Sequence, residues 1–278
     1  MICFMFPGQP MTVMELSGTD AYRQEIAAAC LARSGVDPFS ARADGADVTD
    51  AVRLQLHGVA ISLWRERQLL TQGMLPGVIA EHSLGIYPAL AAAGVISGED
   101  ALEMAFRVGN CMANMGGGDA YMLACVTGLA EAPLSAIAAN NGTYLANYNT
   151  SRHFLLAGPR DGIQGTVVEA EAAGAFSVSS FPCDAPLHTP LMAELAADLR
   201  AVFADYRYRE PQIPIMEHIG QNLLSAAAIP AFLSEELCRP VYWERSCRAL
   251  ARHGVRRFVE VGAGQALTKF NRWIESES

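Results

Sequence analysis

The sequence predicts an α/β protein with a mainly parallel sheet covered by helices and a small second domain inserted into it. Three observations carry this. Short apolar runs that read as buried strands alternate with longer stretches whose apolar residues recur at helical spacing. The 278 residues are 51% hydrophobic and 18% charged, enough apolar material for one large core and a smaller lobe. A GGGD run at Gly116–Asp119 divides long helical segments from a stretch of shorter, alternating ones.

The elements follow in order. "ICFMF" is a strand that ends at the "PGQP" turn; it lacks a basic flank and Pro7-Gly8 break it, so it reads as a buried strand rather than a signal peptide. Ala51–Leu70 has apolar residues at helical spacing. "PGVIAEHS" supplies a short buried strand, and "LGIYPALAAAGV" a helix that stops near Gly94. Ser97, with Glu99 and Asp100 behind it, caps the next helix, "GEDALEMAFRVGNCMANM". Beyond the glycines come "AYMLACVTGL", an Ala-rich helix at Ala132–Ala139, "TYLANYN", "HFLLAGP", the helix "GIQGTVVEAEAAG" and the strand "FSVSSFP". Strand–helix–strand–strand–helix–strand is the ferredoxin-like order, so residues 117–186 are expected to form the insert and 1–116 with 187–278 the core. A helix Pro190–Phe203, a strand "QIPIME", an Arg-bearing helix reaching Arg252 and a last strand "RRFVEVG" complete the core.

Composition narrows the function. A formal net charge of -9 gives no support to nucleic-acid binding, and no apolar run approaches the roughly 20 residues that span a bilayer. The seven cysteines are scattered without a CxxC pair, as expected for reduced, mostly buried thiols of a cytosolic protein. No Cys/His cluster has ligand spacing, so no metal is expected.

"VIAEHSLG" ends an apolar run and opens a helix at Leu84. A sharp strand–serine–helix turn lifts the hydroxyl of Ser83 out of the sheet and aims helix-start N–H groups at the same point. The usual nucleophile elbow is G-x-S-x-G, and Glu81 replaces its first glycine, so the motif alone leaves a structural serine equally open. A nucleophilic serine also needs a base. Of the six histidines, His188 in "FPCDAPLHTPLM" follows a turn-rich segment and precedes a helix, where an imidazole can project into a cleft; an ordinary loop or capping histidine fits the same place.

The landmarks taken together resemble the malonyl-CoA:acyl-carrier-protein transacylase family, shared with the acyltransferase domains of polyketide synthases. "FMFPGQ" is similar to the family's F-P-G-Q-G, "LQLHGVAISLW" to its T-Q-P-A-x-x-A-x-x-x-L helix, and "IAEHSLGIYPAL" to G-H-S-x-G-E-x-x-A-L. "ANYNTSRHFLLAG" resembles A-N-x-N-S-P-x-Q-x-V-I-S-G, "APLHTPLM" the family's histidine segment, and "RPVYW…GVRRFVEVGAGQALT" its C-terminal signature. The resemblance covers essentially the whole chain. It implies an α/β-hydrolase-like core with an inserted ferredoxin-like subdomain, an acyl-accepting Ser83 and His188 as its general base. It further places the oxyanion hole on the N–H groups of Gln9 and Leu84, and the carbonyl that orients the histidine on Glu236. A ping-pong reaction follows: Ser83 takes an acyl group from a CoA or phosphopantetheine thioester, the substrate and not a cofactor, and yields it to an acyl carrier protein. A cytosolic monomer is expected.

The departures bear on the acyl group. The family holds the malonyl carboxylate with the arginine of R-G-x-x-M, and here "RVGNCM" puts Val108 in that place and Arg107 one residue earlier. One residue is a rotation of about 100° along a helix, so only a helical bulge would bring Arg107 to the pocket. Gln55 keeps the family's glutamine, while His153 replaces another; Ile86 replaces a glutamate, Pro10 a glycine, and Glu217-His218 an amide pair. A charge left without its bidentate partner costs several kcal/mol, so the pocket of Gln55, Val108, Arg107 and His153 is expected to favour an uncharged acyl group. Hydrolysis of acyl groups from a carrier, and a non-catalytic carrier-binding scaffold, are the alternatives. Arg239, Arg245 and Arg248 belong to a C-terminal arginine concentration that fits an acidic carrier protein, or an ordinary solvated helix face.

Overall fold

Ile2–Phe6 forms β1, and its alternation organises the larger lobe. Phe4 and Phe6 enter one apolar cluster, Cys3 and Met5 another. A strand buried on both faces belongs inside a helix-covered parallel sheet, and β1 lies there. The structure, a computed structural model, describes residues 1–14, 16, 20–40, 48–113, 115 and 120–277.

After β1 come α1 (Ala21–Ser34), α2 (Asp50–Thr71), β2 (Val78–Glu81), α3 (Ile86–Ala92) and α4 (Gly98–Ala113). The next lobe holds β3 (Tyr121–Thr127), α5 (Glu131–Asn140), β4 (Tyr144–Thr150), β5 (His153–Pro159), α6 (Arg160–Ala172) and β6 (Ser177–Cys183). The chain returns through α7 (Ala196–Ala204), β7 (Ile215–Met216), α8 (Ile229–Glu235), α9 (Trp243–Arg252), β8 (Arg257–Glu260) and α10 (Ala266–Ser276).

The first sheet is parallel throughout, in the order β7-β2-β1-β8, with Phe4 opposite Ile79 and Phe6 opposite Glu81. Residues of α1–α4, α7 and α8 fill the cluster on one face, and residues of α9 and α10 the cluster on the other. Because the strands share one direction, the segments after β1, β2 and β7 leave the same edge of the sheet, the usual place for a site in an open α/β sheet.

The second sheet is antiparallel, in the order β4-β5-β3-β6, and carries the ferredoxin-like succession of strands and helices. The two lobes meet where Tyr148 N–H donates to the Val241 carbonyl at 2.8 Å and Val241 N–H to that of Ala146 at 2.9 Å. The boundary expected at residues 116 and 117 lies outside the described residues.

Local signals hold where they are strong. Asp100 N–H donates to Ser97 Oγ at 3.0 Å and Ser97 N–H to Asp100 Oδ2 at 3.3 Å, which caps α4. Gly94, at φ 73°, ends the helix before it. Two expected elements are shorter. The segment starting at Pro190 begins as a 3-10 turn, Pro190–Leu195, before α7. "QIPIME" pairs only through Ile215 and Met216, because the chain folds back at Glu217, whose N–H donates to the Asn222 carbonyl. The seven cysteines are unpaired; Cys3, Cys30 and Cys247 are buried and the other four half-buried. No helix among the described residues is long and apolar enough to cross a membrane.

Candidate active site

Ser83 follows β2 in a one-turn helix, Ser83–Gly85, that runs directly into α3. Its φ is 55°, the left-handed region, which costs a non-glycine residue on the order of 1–3 kcal/mol and is typical of functional turns. Gly85 is required by packing, since a Cβ there would stand 2.1 Å from the Phe6 carbonyl oxygen. Glu81, where the elbow usually has glycine, is accommodated by turning its side chain toward the segment after β7. It is fully buried; Oε1 accepts the His218 backbone N–H at 3.0 Å, and Oε1 and Oε2 lie 2.8 and 2.9 Å from His218 Nδ1.

Ser83 Oγ lies 2.7 Å from His188 Nε2, although 105 residues separate them. His188 is itself at φ 60° and only 1% exposed. Its Nδ1 faces two main-chain carbonyls, of Glu236 and Arg239, each at 3.1 Å. Carbonyls only accept, so the ring proton sits on Nδ1 and the Nε2 lone pair faces the serine hydroxyl, which donates. Burial, reinforced by neighbouring His218, lowers the His188 pKa to about 3, so the ring is neutral at neutral pH. A neutral imidazole with a fixed tautomer, hydrogen-bonded to a serine, is the arrangement general-base activation needs.

A cavity of about 30 Å³ opens beside this pair, lined among others by Gln9, Gln55, Leu84, Val108, Met112 and Glu236. The helix α4 presses close here: a Cβ at Gly109 would lie 2.5 Å from Gln55 Oε1. Of the four residues expected in the acyl pocket, Gln55 and Val108 line the cavity and two do not. Arg107 turns outward, where its guanidinium bonds Asp205 at 2.7 Å and lies 5.7 Å from the Tyr206 ring centre; α4 stays regular, so the 100° rotation between neighbours is kept. His153 packs on the Phe270 ring at 4.6 Å, and its Nδ1 accepts from Asn149 Nδ2 at 3.1 Å, because β5 carries it into the second sheet. A larger cavity of about 210 Å³, lined by Asp37, Ser40, Asp50 and Arg53 among others, has no histidine or cysteine among the described residues of its lining.

A second charge cluster stands behind His188. The Glu236 side chain, 1% exposed, puts Oε2 3.8 Å from His188 Nδ1, and burial, reinforced by the nearby Glu81 carboxyl, raises its pKa well above the carboxylate range. Glu236 Oε2 and His218 Nε2 have no hydrogen-bond partner among the described residues. His188, His218 and Glu236 place ligand atoms within 4.8 Å of one another, the one such group of three found among the described residues. A metal there would compete with Ser83 and the two carbonyls for the His188 ring. The sequence marks Glu81 and Glu217-His218 as unusual but gives no sign that Glu81 and His218 meet. Glu217 itself closes a turn, accepting from the N–H groups of Ile219 at 2.6 Å and Asn222 at 2.9 Å. Of the arginines singled out, Arg239 and Arg245 are exposed, Arg245 lying 4.0 Å over the Tyr242 ring, while Arg248 is half-buried and bonded to Glu244 at 2.7 Å.

The acyl transferase domain family matches residues 34–269, a span that takes in Ser83, His188 and Glu236. This chain belongs to that family. The acyltransferase is 31% identical over 202 residues to the polyketide biosynthesis protein ThaF of Burkholderia thailandensis, a match that covers 72% of this chain and 17% of the relative's length. It is 28% identical to the malonyl CoA-acyl carrier protein transacylase of Salmonella typhimurium, over 98% of this chain and 92% of the relative. Among solved structures, the malonyl-CoA:acyl carrier protein transacylase of Xanthomonas oryzae superposes with a TM-score of 0.89 at 28% identity, covering 99% of the acyltransferase and 91% of that chain.

Proposed function

We propose that this acyltransferase carries a small, uncharged acyl group on Ser83, taken from a CoA or carrier-protein thioester and passed to an acyl carrier protein. One observation carries the acyl preference: Val108, 1% exposed, lines the cavity, and the nearest arginine on its helix is tied outward to Asp205. A malonyl carboxylate in such a cavity would lose water without gaining a bidentate partner. The small volume favours a short chain.

The chemistry runs in two halves. Ser83 Oγ bonds to the thioester carbon while its proton moves to His188 Nε2. The N–H groups of Gln9 and Leu84 are the donors toward the developing oxyanion. The tetrahedral centre collapses, the sulfur leaves and takes the Nε2 proton, and the acyl group remains on Ser83. An incoming thiol then reverses the sequence. Transfer, unlike hydrolysis, requires the acyl-serine to be kept from water.

The name of the Salmonella relative supports a carrier protein as acceptor. Arg239, whose carbonyl faces His188, and Arg245 are exposed and able to meet an acidic carrier, whereas Arg248 is already neutralised by Glu244. Intact mass spectrometry after incubation with acyl thioesters tests the reading: an acyl adduct is expected on the wild type and not on Ser83→Ala. Free acid released as fast as thioester is consumed, with no adduct, would contradict it.

A further inference from the structure

Glu236 presents two different groups to one atom. Its main-chain carbonyl accepts from His188 Nδ1 at 3.1 Å, and its side-chain Oε2 stands 3.8 Å from the same nitrogen. Both side chains are 1% exposed, and Oε2 has no partner among the described residues. An unpartnered buried carboxyl oxygen is costly and asks for a reason. The Nδ1 proton, meanwhile, is divided between two carbonyls at 3.1 Å, the long end of the normal range. The terminal torsion of a glutamate is soft, so a modest rotation brings the carboxyl to hydrogen-bonding distance.

We infer that the side-chain carboxyl of Glu236 is a positioning residue for His188, accepting a hydrogen bond from Nδ1–H whenever the ring is protonated during an acyl step. The pair of Ser83 and His188 thereby becomes a serine–histidine–glutamate set at the moments when charge appears. The inference rests on Ser83 being the residue that is acylated.

The proton count is simple. As Oγ bonds to the acyl carbon, its proton moves to Nε2 and the ring becomes positive. Nδ1 keeps its own proton, which then points at a carboxylate instead of at two neutral dipoles. The departing sulfur removes the Nε2 proton, and the ring is neutral again. Glu236 neither gains nor loses a proton in the cycle. Only the ionised carboxylate can supply counter-charge, since a neutral carboxyl adds one more dipole.

The titratable groups around Glu236 are His188 and His218, Glu81 beyond His218, and Tyr87 and Cys238 within electrostatic reach. Burial, reinforced by the nearby Glu81 carboxyl, holds Glu236 protonated past the ordinary carboxylate range. Serine reactivity therefore rises with pH as Glu236 ionises, above the range in which His188 loses its own proton.

The test uses a fluorophosphonate, which phosphonylates an activated serine whatever acyl group the cavity accepts. An Oγ–P bond forms, fluoride leaves, and the serine proton passes to Nε2. Labelling rates of the full chain are followed from about pH 5 to about pH 9. Wild type is expected to show a rise in the upper range that Glu236→Gln lacks, leaving the variant about tenfold slower there and equal to wild type at the acid end. Glu236→Asp, which keeps the charge, is expected to keep a rise. A Glu236→Gln profile that tracks wild type, or lies below it by one factor at every pH, overturns the inference. Should Glu236→Gln not fold, a wild-type profile with a single ionisation overturns it. Labelling of Ser83 without acylation by any uncharged thioester sinks the proposed reaction and leaves this inference standing, whereas absence of labelling removes both.

Discussion

Glu81 and His218, 137 residues apart and both fully buried, are locked together: Glu81 Oε1 accepts the His218 backbone N–H and lies 2.8 Å from its Nδ1. The contact explains how a glutamate can stand at the elbow, and it ties the end of β2 to the segment after β7.

Removing one partner strands the other. Glu81→Ala should lower stability by about 2–4 kcal/mol, because the His218 amide and ring lose their acceptor in a buried place. The double variant Glu81→Ala/His218→Ala should be less damaging than the sum of the singles. Chemical denaturation of the four proteins measures this coupling; strict additivity would show that the two residues do not act on each other.

His188 holds the only ring nitrogen within hydrogen-bond reach of Ser83 Oγ among the described residues. His188→Ala should slow Ser83 acylation by about 10²-fold or more, with the fold retained by circular dichroism. An unchanged acylation rate would remove His188 from the mechanism.

Val108 lines the cavity beside Ser83, the wall against which the proposed reaction puts the acyl chain. Val108→Arg should raise the ratio of malonyl to acetyl acylation by about tenfold or more, through a bidentate carboxylate partner. Overpacking of this buried position will cost about 1–3 kcal/mol, so the ratio and not the absolute rate is the measure. A ratio that does not move places the acyl chain elsewhere.

The buried histidines make the fold sensitive to acid. The pKa of His188 falls to about 3 in the folded protein from an ordinary 6.5, so the unfolded chain binds the additional proton between those values. Its contribution to stability is complete above about pH 6.5 and declines as pH falls toward 3. His82 and His218, each lowered to about 4, act in the same direction. Buried Glu81 and Glu236 have raised values and act oppositely, weakening the fold as pH climbs past the ordinary carboxylate range. Urea midpoints from pH 6.5 to 4 should therefore fall less for His188→Gln than for wild type; parallel curves would show that His188 titrates alike in both states.

Much of the fold was legible because its signals are local. "ICFMF" and "VIAE" alternate between two cores, Ser97 and Gly94 punctuate helices by backbone chemistry, and the strand–helix rhythm of the second lobe is unbroken. α1 was harder to see, since it buries only Ile26 and Cys30 and its apolar stripe is thin. In the site, Ser83 and His188 each stand at a turn that the sequence marks. The Glu81–His218 contact, the second carbonyl on His188 from Arg239 and the Glu236 carboxyl depend on how distant segments pack. Nothing local signals them. Val108 lies between: its place on α4 was readable, and the outward pairing of Arg107 with Asp205 was not.

The most direct measurement is the single-turnover acylation of Ser83 by acetyl-CoA and by malonyl-CoA, read by intact mass with Ser83→Ala as control. The expected result is an acetyl adduct that forms at least about tenfold faster than a malonyl one, a difference of about 1.4 kcal/mol, with neither on the variant. A malonyl adduct that forms as fast as or faster than the acetyl one would contradict the uncharged acyl pocket built around Val108.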